Sequence, residues 1–306
     1  AQQFSCARLV GRSAHRNGTH PDQRGHACAH NAHRFLQRTA PNHQRKHHHH
    51  VMQIILTSAK IMNAAADVAV PFATQPAFET EANELALSLT SWSVAELMQA
   101  FQCSESIAHD NQQRFQSFFN VAEKLPAILA YHGEAYKHLR AETFTSAQFQ
   151  QSQRHLFITS FLYGLLRPLD LIHPYRMEGN VRLPATQGQT LFAFWRERLT
   201  DMLIHAVQAD DGVLVHLATA EYEHLFDWRR VQREVRVVQP LFYVEKGDKM
   251  RVMALYAKRC RGAMTRQILQ KGWQQPADLL QFAYEGFAFA PHYGDENHPH
   301  FIWKQG

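Results

Sequence analysis

Long hydrophobic runs are missing from this chain. Stretches such as Val51 to Leu56 and Ala127 to Tyr131 fall far short of the roughly 20 apolar residues a bilayer-spanning helix requires. Cysteine is scarce as well: Cys6, Cys28, Cys103 and Cys260 are the only four in 306 residues, and their spacings match no zinc or disulfide framework. That excludes a small domain held by disulfides and agrees with a reducing compartment. The familiar catalytic signatures are absent too. No Walker loop, dinucleotide glycine fingerprint, Gly-x-Ser-x-Gly elbow or His-Glu-x-x-His occurs, which removes the common nucleotide hydrolases, dehydrogenases, α/β-hydrolases and zincins. From Met52 onward there is no charged n-region, long apolar h-region or cleavage site, so a cytoplasmic protein with no membrane contact is expected.

Acid is what the first 51 residues lack. Asp22 stands alone there against seven arginines, Lys46 and ten histidines, giving a net charge of +7 and leaving −2 for the other 255 residues. Polar and poor in apolar side chains, residues 1–51 cannot bury enough surface to offset the entropy of ordering them. They are expected to be a disordered, non-native or mistranslated leader, with Met52 the natural start. A transit peptide is the rival reading, opposed by little serine and abundant histidine. The basic pI of about 9.1 therefore belongs to this segment. Any anionic partner of residues 52–306 has to be recognised by clustered charge.

What is present in residues 52–306 is an alternation of apolar runs and helical periodicity. Met52 to Thr57 predicts a buried first strand, and Glu79 to Phe119 predicts helices, with Ser93 and Ser104 as N-caps of two in succession. Ile128 to Tyr131 and Leu156 to Thr159 are short β-like runs. Gln189 to Val207 is an amphipathic helix, followed by the apolar run Val213 to Ala218 in βα-like order. Val235–Val244 and Met250–Leu255 flank the turn dipeptide Gly247-Asp248, which predicts a hairpin. A helix is expected from about Tyr256 to Gln270, and two strand-like pieces surround the polar loop 294–297. The fold class expected is mixed α/β (α+β): one domain with a central mixed sheet flanked by helices and a helical, helix-hairpin-helix-like insertion.

Four blocks carry a resemblance. They are Gly133 to Tyr136 leading to Ala141 to Phe144; Leu162-Tyr-Gly-Leu-Leu-Arg-Pro-Leu-Asp170 with Pro174-Tyr-Arg-Met-Glu178; Leu217 to Tyr222; and Tyr256 to Arg266. In order and spacing, residues 52–304 resemble the bacterial YaaA family. Where that family has Ser-Pro-Ala-Lys after its first strand, this chain reads Thr57-Ser58-Ala59-Lys60, keeping the lysine without the proline. The resemblance implies a cytoplasmic protein of the peroxide stress response that limits damage from unincorporated iron and has DNA-binding capacity; no cofactor is expected.

Projected at ~100° per residue, Lys258, Arg259, Arg261 and Arg266 share an arc of about 160°, opposite Ala257, Met264 and Ile268. Such a face suits phosphates, and equally suits plain solvation. Residues 96–115 have the rhythm of two helices and a tight turn, in which Arg114 could meet a phosphate or an ion-pair partner. Arg167, Asp170, Tyr175, Arg176 and Glu178 cluster around two prolines in a loop, either as a pocket or as a staple. The candidate nucleic-acid contacts are thus Lys60, Arg114, Arg167, Arg176, Lys258, Arg259, Arg261 and Arg266. The candidate pocket is Asp170, Tyr175, Glu178 and Glu221. No metal site is expected: Glu221-x-x-His224 is a single motif where a di-iron bundle needs two, and the tail from His292 to His300 reads as an exposed loop. The alternative function is an enzyme acting on nucleobases or nucleotides, its acid-base work done by Glu178, Glu221 and Glu285 beside Arg167 and Arg176.

Overall fold

The computed structural model describes residues 51–119 and 124–305; the leader expectation lies outside them except for Val51. In chain order the elements are β1 (Gln53–Thr57), α1 (Glu79–Leu89), α2 (Val94–Phe101), α3 (Glu105–Gln116), β2 (Leu125–Pro126), α4 (Ala127–Ala130), α5 (Glu134–Leu139), α6 (Ser146–His155), β3 (Leu156–Ser160), β4 (Gly164–Leu166) and β5 (Leu171–Ile172). There follow α7 (Leu191–Gln208), β6 (Val213–Leu217), α8 (Trp228–Glu234), β7 (Arg236–Val238), β8 (Leu241–Lys246), β9 (Lys249–Arg251), α9 (Ala254–Lys271), β10 (Ala283–Tyr284), β11 (Phe287–Gly294) and β12 (Pro299–Gln305). Among these helices none is long and apolar enough to cross a membrane.

The apolar runs at 53–57, 156–160 and 213–217 form the middle of a five-stranded sheet in the order β4-β3-β1-β6-β7. All three central strands are parallel, with Ile55 opposite Phe157 on one side and His216 on the other; β4 alone is antiparallel. Burial on both faces is why these strands read as continuous apolar runs rather than alternations. The chain leaves β1 toward β3 but leaves β6 toward β7. The crevice beyond the carboxyl ends of β1 and β6 is therefore a topological switch point, the place where open α/β sheets bind ligands.

A second sheet, β10-β11-β12-β8-β9, pairs β12 in parallel with β8 and is filled by Phe242, Phe282, Phe287 and Phe301. The mixed α/β class thus holds, with two five-stranded sheets and a two-stranded ladder in place of the single sheet expected. Gly247-Asp248 does turn a hairpin, β8 to β9. The run 235–244 is nevertheless not one strand. Gln239-Pro240 breaks it, sending β7 into the first sheet and β8 into the second. Ile128 to Tyr131 is not a strand either. Its first three residues lie in the helical turn α4, held from outside by Ala127 N–H on the Asp170 carbonyl (2.9 Å) and Ile128 N–H on the Pro168 carbonyl (3.0 Å).

The helical insertion has the caps its serines predict. Ser93 accepts from the Glu96 N–H while Glu96 Oε2 accepts from Ser93 N–H at 2.7 Å, a full capping box, and Ser104 caps α3. Between α2 and α3, Gln102 adopts the left-handed conformation (φ 47°) that glycine usually supplies at a helix end.

Two glycines set the walls of the switch-point crevice. A Cβ on Gly262 would stand 1.8 Å from the Ala135 carbonyl oxygen, so α9 crosses α5 only because position 262 is bare. A Cβ on Gly133 would meet Ala59 Cβ at 2.8 Å, which fixes how near the loop after β1 lies to the start of α5.

Candidate functional site

Beyond the ends of β1 and β6 lies a cavity of about 360 Å³, walled by the loop 57–61, the start of α5, the segment 219–222 and the first turns of α9. Much of its lining is apolar, from Leu56, Ile61, Ala135 and Leu217 to the aromatic residues Tyr136 and Tyr222. Hydrogen bonds fasten the two strand ends to one another. Thr57 Oγ1 accepts from Thr219 N–H at 2.8 Å, Ser58 Oγ lies 3.1 Å from the Tyr222 hydroxyl, and the Tyr136 hydroxyl donates to the Thr57 carbonyl at 2.9 Å. The Tyr222 ring stacks on Phe161 at 4.5 Å. The site is therefore built on strand ends rather than on a free loop.

Charge around the cavity falls into two kinds. Lys60 Nζ is 2.9 Å from both carboxylate oxygens of Glu178, and Arg176 Nη2 is 3.1 Å from one of them, an ion cluster on the rim. Glu134 is held by Arg259 at 3.0 Å and Lys137 at 3.4 Å, and those bonds, Arg259 first, draw its pKa below the usual carboxylate range. Lys258, Arg261 and Glu221 also line the cavity, and among the described residues their side chains have neither a hydrogen-bond nor an ion-pair partner. Arg261 is partly sunk, and burial lowers its pKa, yet a guanidinium stays charged at any physiological pH.

The remaining cations on α9 are engaged elsewhere. Arg259 belongs to Glu134 and approaches Glu285 at 4.0 Å. Arg266 Nη1 donates to the carbonyls of Leu139 and Arg140, both at 2.9 Å, closing the C-terminal end of α5. The basic stripe seen in projection thus separates into two free charges and two structural ones.

The proline-flanked loop is a fastening for most of its length. Arg167 lies flat on the Phe157 ring at 3.4 Å and donates through Nη1 to Gln53 Oε1 (3.0 Å) and the Leu156 carbonyl (3.2 Å); burial pushes its pKa down to about 10. Asp170 accepts from Thr74 Oγ1 at 2.6 Å and from Arg167 N–H at 2.7 Å, and burial raises its pKa. Tyr175 is buried, its hydroxyl between Tyr131 (2.7 Å) and Ser160 (2.6 Å), and its ring offers no open face for stacking. Arg167 and Asp170 therefore lie away from the cavity, whereas Tyr175 and Arg176 line a small recess beside it with Ser58, Lys60 and Tyr222, Glu178 reaches the cavity rim and Glu221 the cavity wall. Arg114, on α3, is half-buried; burial lowers its pKa, and Arg176 is near enough to add to that effect.

Among the described residues no group of three or more His, Cys, Asp and Glu is placed to hold a metal. Asp295, in the tail, accepts instead from Asn297 N–H and His298 N–H, both at 2.8 Å. Ser58, Glu134, Tyr136, Thr219 and Tyr222 stand in the sequence only as parts of the resemblance blocks and not among the candidate site residues. The signal was available in their positions, since Thr57-Ser58 and Thr219 to Tyr222 directly follow the two strands that diverge in the sheet.

A family model described as peroxide stress protein YaaA matches residues 52–293. A UPF0246 protein of Bacteroides thetaiotaomicron is 44% identical over 256 residues, covering 83% of this chain and 100% of that protein. A UPF0246 protein of Phocaeicola vulgatus is 42% identical over 248 residues, 81% of this chain and 97% of its own length. At greater distance, one from Burkholderia vietnamiensis is 35% identical over 247 residues, with 78% and 93% covered.

Proposed function

The chain belongs to the peroxide stress protein YaaA family, and on that premise we propose that it acts in the cytoplasm during peroxide stress by binding DNA in the switch-point cleft, limiting the damage that unincorporated iron does. The observation that carries this reading is the pair Lys258 and Arg261, which line the cavity with no acidic partner among the described residues. Cations without partners are the ones that can neutralise phosphates and release counterions. Lys60 and Arg176 on the rim share a single carboxylate, Glu178, so the cluster keeps a positive balance. Arg114, on α3, is a further cation that feels the charge of Arg176, although Asp110 acts on it more strongly. Such contacts grip the backbone and carry little sequence preference.

The test is duplex affinity against salt. For about four phosphates, binding should weaken roughly 100-fold between about 50 and about 200 mM salt. Residues 1–51 carry +7 of their own, so wild type is compared with Lys258→Ala plus Arg261→Ala in the same full chain. Identical binding by the two proteins would contradict the reading.

One observation favours a second reading, an enzyme acting on nucleobases or nucleotides. Glu221 stands unpaired in the same cavity as Ser58 and Tyr222, a carboxylate free for acid-base work. Turnover of a nucleotide by wild type, abolished in Glu221→Gln, would support it; no turnover of nucleotides or of DNA bases would dismiss it.

A further inference from the structure

The three unpaired charges define more than a backbone groove. Around the cavity, Lys60 and Arg176 share Glu178, and Lys137 and Arg259 share Glu134, which leaves Lys258, Arg261 and Glu221 without an ion pair among the described residues. No ion pair joins Glu221 to either cation, so the charges stand apart around a void of about 360 Å³ whose lining is largely apolar. A void of that volume is within the usual range for small-molecule sites. Its occupant has to satisfy two cations and one carboxylate at once and cover apolar surface in between.

From this arrangement we infer that the cavity is a mononucleotide site, in which Lys258 and Arg261 hold the phosphate, Glu221 accepts from the base edge, and the base covers the lining formed by Leu56, Leu217 and Tyr222. A phosphate monoester carries between one and two negative charges at neutral pH, which two cations match; a lone carboxylate, as in an amino acid, would leave one cation over. Glu221, an ionised carboxylate, can only accept. Guanine is the base that offers a carboxylate two neighbouring donors, N1–H and N2–H, so guanine nucleotides fit best. Thymine has no such pair. The nucleotide could arrive free, with one phosphate monoester, or as a residue extruded from DNA, which presents the same base and sugar between two phosphodiesters of one negative charge each. The extruded case rests on the cleft reading above, and the free case does not.

The experiment is a calorimetric titration of the full chain with dGMP, dTMP and inorganic phosphate, with a parallel measurement on a duplex carrying 2-aminopurine next to a guanine, where it reports the loss of stacking when that guanine leaves the helix. The expected result is saturable binding of dGMP about tenfold tighter than dTMP. Glu221→Gln, a change at an exposed side chain, is expected to erase that preference while keeping phosphate affinity, and Lys258→Ala plus Arg261→Ala to weaken both nucleotides alike. A rise in 2-aminopurine fluorescence on binding assigns the site to an extruded nucleotide; unchanged fluorescence with dGMP preference intact assigns it to a free one. Equal affinity for dGMP, dTMP and inorganic phosphate, or no saturable nucleotide binding, overturns the inference. Salt-sensitive duplex binding without a dGMP preference would overturn it and leave the cleft reading standing, while dGMP preference without duplex binding would do the opposite.

Discussion

The loop from Arg167 to Glu178 and the cleft between β1 and β6 are both rich in charge, and they use it in opposite ways. In the loop, Arg167 and Asp170 are saturated by carbonyls, a threonine and a buried glutamine, so their charge holds β1, β3 and the loop together. In the cleft, the side chains of Lys258, Arg261 and Glu221 have no hydrogen-bond or ion-pair partner among the described residues. The difference separates structure from recognition. A charge that the fold has already satisfied has nothing left to offer a ligand, and a charge held apart on a rigid frame is available to one.

The largest stability effect is expected from Arg167→Ala. It strands Gln53 Oε1 and the Leu156 carbonyl and strips the Phe157 face, at a cost of about 3 kcal/mol in urea denaturation, with the salt slope of DNA binding unchanged. A stable Arg167→Ala variant with a shallower slope would collapse the distinction between the two regions. Gly262→Ala comes next. Its methyl has to push α9 off the Ala135 carbonyl, costing about 2 kcal/mol, and the cleft should lose DNA affinity with it because Lys258 and Arg261 travel on that helix.

Acid should produce a smaller, graded effect. His155, His173 and His216 all have pKa values lowered chiefly by burial. Above about pH 6.5 each is neutral whether folded or unfolded and contributes nothing. Below it the unfolded chain takes up protons that the folded one resists, and stability falls until the lowered folded pKa values are passed. His216→Gln should flatten that part of the pH-stability curve, and an unchanged curve would place the loss elsewhere. Smallest of all is the stability effect of Lys258→Ala plus Arg261→Ala. With no partner lost, melting should move by no more than about 0.5 kcal/mol, sharpening the contrast with Arg167.

Where local pattern decides structure, the sequence was legible: the buried runs of β1, β3 and β6, the capping serines 93 and 104, and the Gly247-Asp248 hairpin. It was not legible where distant partners decide. The apolar run at 128–131 has no periodicity of its own and takes its form from the carbonyls of Pro168 and Asp170. The second sheet depends on β8 finding β12, more than fifty residues on. The same holds for the site. Helical projection puts Arg259 and Arg266 beside Lys258 and Arg261, but their partners, Glu134 and the Leu139 carbonyl, lie 125 and 127 residues away in the chain. Only coordinates separate the bound cations from the free ones. Cys260 shows the same limit, because burial pushes its thiol up to about 12, leaving it a packing residue rather than a reactive thiolate.

The most direct measurement of the central claim is the slope of log affinity against log salt for duplex DNA, taken on three full-length proteins: wild type, Arg167→Lys, and Lys258→Ala plus Arg261→Ala. The cleft account expects equal slopes for the first two and a slope smaller by about two units for the third, one for each phosphate contact removed. Equal slopes for all three, or a reduced slope in Arg167→Lys alone, would contradict it.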